Sequence, residues 1–263
     1  MTTDRWTPIA VGVLILGGTA SYAMGGAFIA AGLEPDGSLA GLNIRQIRLG
    51  ALLHHVASAA VVAVGLLLYP VLREHNELYA LGYAVARIVE ATLLSAGALG
   101  VMSLVPLAAA TTTGDAVTTG DAPNAMTTGD AGSAMTAGGA EPGAAVADAG
   151  LAAAHALATG TYVTGFHLAL AALGAGGLLL CHVFHRTRLV PRPLAVLGIT
   201  AYMALFASGW LKVFGDGMPM ILYIPGAAFE IVLSVWLITK GLHRPETAPP
   251  DARDGVTPHP RVA

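Results

Sequence analysis

Long apolar runs, separated by short polar segments, dominate the chain. Six of them approach or exceed the ~20 residues that a helix needs to cross a hydrocarbon core of about 30 Å. They cover residues 8–33, 49–72, 78–107, 158–182, 193–214 and 220–242. This pattern predicts an all-α, polytopic membrane protein in which six transmembrane helices form a bundle over residues 1–242.

Two polar segments interrupt or follow these runs. Residues 109–150 hold the pentapeptide TTGDA three times, beginning at Thr112, Thr118 and Thr127, and contain no Lys or Arg. Such a segment buries too little apolar surface to offset its ordering entropy. We therefore predict a disordered, low-complexity extracytoplasmic insert, with a weak cation-binding or Thr-glycosylated loop as the alternative, because Asp oxygens suit hard cations. The Pro-rich residues 243–263 are predicted to be a disordered cytoplasmic tail.

The distribution of basic residues predicts the orientation. With the N-terminus in the cytoplasm, most Lys and Arg lie on the cytoplasmic side, and only Arg45, Arg48 and Lys212 lie outside. This asymmetry follows the positive-inside rule, so both termini are expected to be cytoplasmic. The scarcity of Lys and the abundance of Ala and Gly are typical of a high-GC bacterial genome. A bacterial cytoplasmic membrane is therefore the predicted location.

Composition and charge narrow the possible partners. Hydrophobic residues make up 55% of the chain and charged residues 11%, which makes a lipid bilayer the natural solvent. A formal net charge of −3 without a basic soluble domain gives no reason to expect nucleic acid. The single Cys181 excludes an intramolecular disulfide and is expected to be a small buried hydrophobe.

A few ionisable residues lie inside the apolar runs. Arg87 and Glu90 fall in the third run and Glu230 in the sixth. Charges cost several kcal/mol at the centre of a bilayer, so these side chains should face a protein or water-lined interior. Counted at ~1.5 Å per residue, both carboxylates reach a similar depth. His54 and His167 lie in the outer half or near the middle, and we predict that all five residues line one ligand-binding pocket.

Two functions follow from these residues and stay open. The pocket could bind or translocate a small solute or a proton. Alternatively, the protein is a structural or regulatory partner of another membrane protein, and its buried charges only fasten helices, because Arg87 and Glu90 are spaced to pair on one helix. A lone buried His is often simply hydrogen-bonded.

An enzymatic function is less expected. A buried Glu with His167 could act as acid and base, but the sequence has no nucleophile elbow, zinc-protease helix, Walker loop or haem-type Cys motif. No catalytic residue, metal ligand or cofactor is therefore predicted.

Several segments resemble a known family. They are ALGYAVARIVEATLL, GFHLALAALGAGGLLLCHVFHRTRLVPRPLAVLG and AAFEIVLSVWLITKGL. The chain resembles, from about Thr7 to Leu242, the bacterial integral-membrane family known as domain of unknown function 4386. The positions that match the family pattern are Arg87, Glu90, Pro191, Arg192, Glu230, Trp236, Lys240 and Gly241.

Two features depart from that family pattern. The insert at 109–150 replaces a short loop, and Leu189-Val190 replaces a common Ser-Gly. The resemblance implies a six-helix bundle and supplies no known activity, substrate or cofactor.

Overall fold

The structure, a computed structural model, describes residues 5–33, 42–113, 142–215 and 220–242. It is helical throughout these ranges and contains no strand there. The elements in chain order are α1 Trp6–Gly32, α2 Ile44–Arg73, α3 Glu77–Met102, α4 Leu104–Thr113, α5 Pro142–Thr187, α6 Arg192–Val213, a 3₁₀ helix Met220–Tyr223, and α7 Ile224–Thr239.

The all-α membrane architecture predicted from the sequence is confirmed. Five helical segments in the described ranges are long and apolar enough to cross a membrane: Trp6–Gly32, Ile44–Arg73, Glu77–Ala108, Ala149–Thr187 and Arg192–Val213. The sixth predicted run forms the 3₁₀ helix and α7, and α7 alone has only 16 residues. The structure therefore shows a multi-pass architecture with five clear candidate spans.

Local sequence explains where several helices begin and end. The Asn43 side chain accepts a hydrogen bond from the backbone N–H of Gln46 at the start of α2, with an N···O distance of 3.2 Å. Asn76 caps α3 in the same way, as Asn commonly does at this position. Helix α3 ends at Met102 because Pro106 has no N–H for the Met102 carbonyl and its ring crowds that oxygen.

The fourth span and the insert differ from the prediction. Helix α4 extends to Thr113, and α5 begins at Pro142 rather than near residue 158, so helices occupy both ends of the segment expected to be disordered. Residues 142–157 are rich in Ala, the strongest helix former, and composition alone does not distinguish such a helix from a spacer. Residues 114–141 of the predicted insert, and the predicted tail 243–263, lie outside the described residues.

The long helices form a ring. Helix α1 packs against α2, and the ring continues through α3, α5, α6 and α7, which returns to α1. Gly18, Gly25 and Gly32 of α1 are buried and lie seven residues apart on the face that meets α2. Their missing side chains let the two helix backbones approach closely. The ring leaves an interior to which every one of these helices contributes.

Candidate functional site

The centre of the site is an ion pair on α3. Arg87 Nη1 lies 2.8 Å from Glu90 Oε2, and both side chains are buried, with 6% and 4% of their residue surfaces exposed. Residues three apart lie on the same side of a helix, so the local sequence alone sets up this contact. The expected pairing of Arg87 with Glu90 is thus confirmed.

The neighbouring helix makes room for the Arg87 side chain. A Cβ atom added to Gly65 of α2 would lie 3.0 Å from Arg87 Cβ, so glycine there allows α2 to pack against the aliphatic part of Arg87. The guanidinium carbon lies 5.9 Å from the centre of the Tyr83 ring, within the range of a cation–π contact. Arg87 Nε is buried and has no hydrogen-bond partner in the part of the chain that the structure describes.

Glu230 reaches the same region from α7. Thr19 of α1 donates a hydrogen bond from Oγ1 to Glu230 Oε2 over 3.0 Å, which links the first and last helices of the ring. Glu230 itself is partly buried. Nearer the N-terminal end of α1, a Cβ at Gly12 would lie 2.7 Å from the Ser234 carbonyl oxygen, so α1 and α7 cross there in close contact.

A cavity of about 230 Å³ lies inside the ring, and Arg87, Glu90 and Glu230 all line it. Its other lining residues are mainly apolar and come from every helix of the ring. The three charged residues that the sequence places at similar depth are therefore brought together at one cavity.

The two candidate histidines lie elsewhere. Neither His54 nor His167 lines this cavity, so the expected convergence of all five residues on one pocket is not what the structure shows. His54 Nδ1 lies 3.0 Å from the Gly50 carbonyl oxygen, and its Nε2 lies 3.0 Å from the Tyr162 hydroxyl. Because a carbonyl oxygen only accepts, Nδ1 carries a proton and the histidine is held between two partners.

His167 has the same kind of environment. Its Nδ1 lies 2.6 Å from the Val163 carbonyl oxygen and its Nε2 3.1 Å from the hydroxyl of Tyr223. Tyr223 does line the cavity. His167 therefore contacts the site indirectly, through the tyrosine that it holds.

Two further cavity residues, Thr19 and Tyr22 of α1, were not predicted from the sequence. The Tyr22 ring packs on His54, with ring centres 4.3 Å apart, and stacks on Phe166 at 5.3 Å. A signal was present, because these two polar residues are three apart in an apolar helix and so share a face. Which neighbour that face meets is decided only by packing.

The described ranges contain no cluster of three or more His, Cys, Asp or Glu side chains able to hold a metal ion. What the site offers instead is a carboxylate–guanidinium pair, a second carboxylate and two tyrosine side chains around a largely apolar space. Such a combination suits hydrogen bonding to a small group or exchange of a proton.

Comparison with known proteins identifies a family but no individual relative. Neither the curated proteins nor the solved structures include a significant match. The family model described as "Domain of unknown function (DUF4386)" matches residues 10–241, a range that includes the three charged cavity residues and all six helices of the ring except the first four residues of α1. The chain therefore belongs to this DUF4386 family.

Proposed function

We propose that this is a six-span protein of the bacterial cytoplasmic membrane, with both termini in the cytoplasm. The 3₁₀ helix and α7 run without a gap over 20 residues, Met220 to Thr239. At rises of ~2.0 and ~1.5 Å per residue, they extend roughly 32 Å, enough for a bilayer core. The contacts of α7 with both α1 and α6 support its place as the sixth member of the bundle.

We further propose that the cavity binds or translocates a small solute or a proton. The observation that carries this proposal is the meeting of Arg87, Glu90 and Glu230, from two helices, at one cavity near the middle of the bundle. Ionisable residues at membrane depth mark substrate or proton pathways more often than they mark packing.

The polar groups at the cavity have hydrogen-bonding positions left over, and this supports a binding role. The cavity holds two carboxylates and one guanidinium, and that guanidinium forms its 2.8 Å ion pair with Glu90. Arg87 Nε is unpartnered within the described ranges. A buried donor without a protein partner is available to bond an acceptor atom of a bound molecule.

The second candidate function is a structural or regulatory partner protein. It is favoured by the 2.8 Å ion pair within α3 and by the Thr19–Glu230 hydrogen bond between α1 and α7. Under this alternative, the same residues fasten helices and bind nothing.

Glu230 gives the decisive experiment. Mass spectrometry of the intact protein, released from its membrane, tests for a bound small molecule, and liposomes loaded with a pH-sensitive dye test for proton entry driven by a K⁺ diffusion potential. We expect at least one of these signals in the wild type, and Glu230→Gln should reduce it at least fivefold without changing the helix content measured by circular dichroism.

Glu77→Gln is the matched control, because Glu77 is an exposed carboxylate at the start of α3. It should behave like the wild type. If the protein shows neither a bound molecule nor a proton flux that depends on Glu230, the fastening function is the better one.

A further inference from the structure

We infer that the ligand of this cavity is an amphipath dissolved in the membrane, with a hydrogen-bond-donating head group and an apolar chain, which enters from the bilayer between α1 and α7. This inference rests on the proposed binding function and specifies its ligand.

The walls of the cavity favour an apolar chain. Most of its lining is hydrocarbon from α1, α2, α3, α5 and α6, including Leu14, Val61, Leu94, Phe166, Leu170 and Leu205. The charged groups that line it are confined to Arg87, Glu90 and Glu230. A hydrophilic solute would leave the apolar walls unmatched, whereas an amphipath would place its chain against them and its head at the charged side chains.

The opening lies on the side of the bundle. Where Gly12 of α1 meets Ser234 of α7, the two helices are in close contact. Further along α1, Thr19 and Ala23 line the cavity and are exposed, as is Ala227 of α7. Side chains as small as those at 23 and 227 would let an apolar chain pass between the two helices.

This opening lies at membrane depth. Thr19 is about 20 Å along α1 from its first residue, close to the middle of a helix about 40 Å long. Lipid chains surround a membrane helix at that depth. A molecule that passes between Ala23 and Ala227 would therefore come from the hydrocarbon of the bilayer.

The charges favour a head group that donates hydrogen bonds. Arg87 already bonds Glu90, and Glu230 accepts its hydrogen bond from the hydroxyl of Thr19. Two carboxylates and one guanidinium leave an excess of acceptors, which a hydroxyl or an ammonium group would satisfy. A hydroxyl is also able to accept a hydrogen bond from the Arg87 Nε–H group, which has no partner within the described ranges. A carboxylate or phosphate head would face like charge, and such a contact costs several kcal/mol.

The volume of the cavity is large enough for part of an amphipath, but not for all of it. An apolar cavity of about 150 Å³ holds a benzene molecule, so about 230 Å³ accommodates a small head group and the first carbons of a chain. The remainder of the chain would extend through the seam into the bilayer.

The test uses the full-length protein in detergent and counts bound molecules by native mass spectrometry. The probes are hexadecan-1-ol, hexadecylamine, hexadecanoic acid and ethanolamine. We expect the alcohol or the amine to bind at least tenfold more than the acid, and ethanolamine alone not to bind. Comparison of hexadecan-1-ol with hexadecylamine shows whether the cavity prefers a hydroxyl or an ammonium head group.

Two pairs of substitutions test the route. Ala23→Trp should reduce binding of the preferred probe at least fivefold, whereas Met24→Trp should not, because Met24 is the adjacent residue, is 55% exposed and does not line the cavity. Ala227→Trp and its control Val232→Trp, at an exposed position of α7 outside the cavity, repeat the comparison if the first pair fails to fold.

Equal binding of hexadecanoic acid, or full binding to both the Ala23→Trp and Ala227→Trp proteins, would overturn the inference. Binding of ethanolamine, or a proton flux that depends on Glu230, without binding of any long-chain probe would overturn it too and leave the proposed function intact. If the wild-type protein shows no bound molecule and no proton flux that depends on Glu230, both the inference and the proposed function are overturned.

Discussion

At the scale of single residues, the arrangement of three charged side chains is the defining feature of this protein. Arg87 and Glu90 are buried together on α3, and Glu230 is positioned by Thr19 from another helix. A buried ion pair contributes little net stability, but removal of one partner leaves an uncompensated charge. A single substitution and a double substitution of the pair should therefore differ in their free energy of unfolding.

Arg87→Ala should lower the free energy of unfolding by about 3 kcal/mol, since Glu90 would lose its partner inside the bundle. The double substitution Arg87→Ala with Glu90→Gln should recover a large part of that loss, because the orphaned charge is then absent. Unfolding in detergent micelles, followed by circular dichroism, measures both changes. Lys212→Ala, at an exposed position near the end of α6, is the control, and a double variant no more stable than Arg87→Ala would contradict the expectation.

The sequence indicates where the charged residues lie along their helices, but it does not indicate where the histidine side chains point. Depth in the membrane follows from counting residues along a helix, so the similar depth of Glu90 and Glu230 is predictable from their positions in the apolar runs. The direction of a side chain around the helix axis, relative to a neighbouring helix, is not. His54 and His167 therefore bond to Tyr162 and Tyr223 instead of lining the cavity.

At the scale of elements, glycine determines how closely helices pack. In each of the glycine pairs Gly17-Gly18 and Gly25-Gly26 of α1, one member is packed tightly against α2. Gly18 faces Ala60 of α2, and Gly25 faces His54 and the Gly50 backbone, whereas Gly17 has open space around it. The sequence shows where the glycines are, but only the packed structure shows which glycine of each pair allows α1 to approach α2 closely.

Gly25→Ala and Gly17→Ala form a matched pair on α1. An alanine Cβ at 25 would lie 2.9 Å from the Gly50 carbonyl oxygen and would also meet the His54 ring, so we expect a loss of about 1–3 kcal/mol, typical of overpacking. At 17 nothing lies within 4 Å, so the better helix propensity of Ala should leave stability unchanged or raise it by up to ~1 kcal/mol.

Thermal unfolding of the two variants in the same detergent checks this prediction. Equal effects of both substitutions would show that the contact between α1 and α2 does not depend on Gly25.

Helix α5 carries a stripe of small and polar residues on one face, a pattern that lets membrane helices approach closely: Gly160, Thr164, His167, Ala171 and Gly174. A Cβ at Gly174 would lie 2.6 Å from the Phe206 backbone nitrogen, so α5 and α6 are in close contact there. At Gly160, one end of the stripe predicted to promote packing, nothing lies within 4 Å. Spacings of three and four residues define the stripe, but only its Gly174 end is in close contact with α6.

At the scale of the whole molecule, the closed ring of helices creates the cavity. Helix α7 packs against α1, so the last helix of the ring contacts the first. Thr19 and Glu230 form a hydrogen bond across that contact. Five helices are long enough to be clear spans, and the proposal of a sixth has a direct consequence for topology.

Six spans place both termini on one side of the membrane, and five spans place them on opposite sides. Alkaline phosphatase fused after residue 263 should be inactive in a bacterial host, and green fluorescent protein fused at the same point should be fluorescent, because the positive-inside distribution predicts a cytoplasmic end. An N-terminal epitope tag should be protected from protease added outside the cell. Tags that report opposite sides would contradict the sixth span.

The sequence by itself determined that this protein is helical and membrane-embedded. Run length and hydropathy are local properties, and a bilayer accepts a long apolar segment only when its backbone is hydrogen-bonded internally, as in a helix. It also determined that Arg87, Glu90 and Glu230 must avoid lipid. Tertiary structure alone decided that these three share a cavity and that Thr19 contacts Glu230. Those features depend on the order and rotation of helices in the ring, which arise from contacts between residues far apart in the chain.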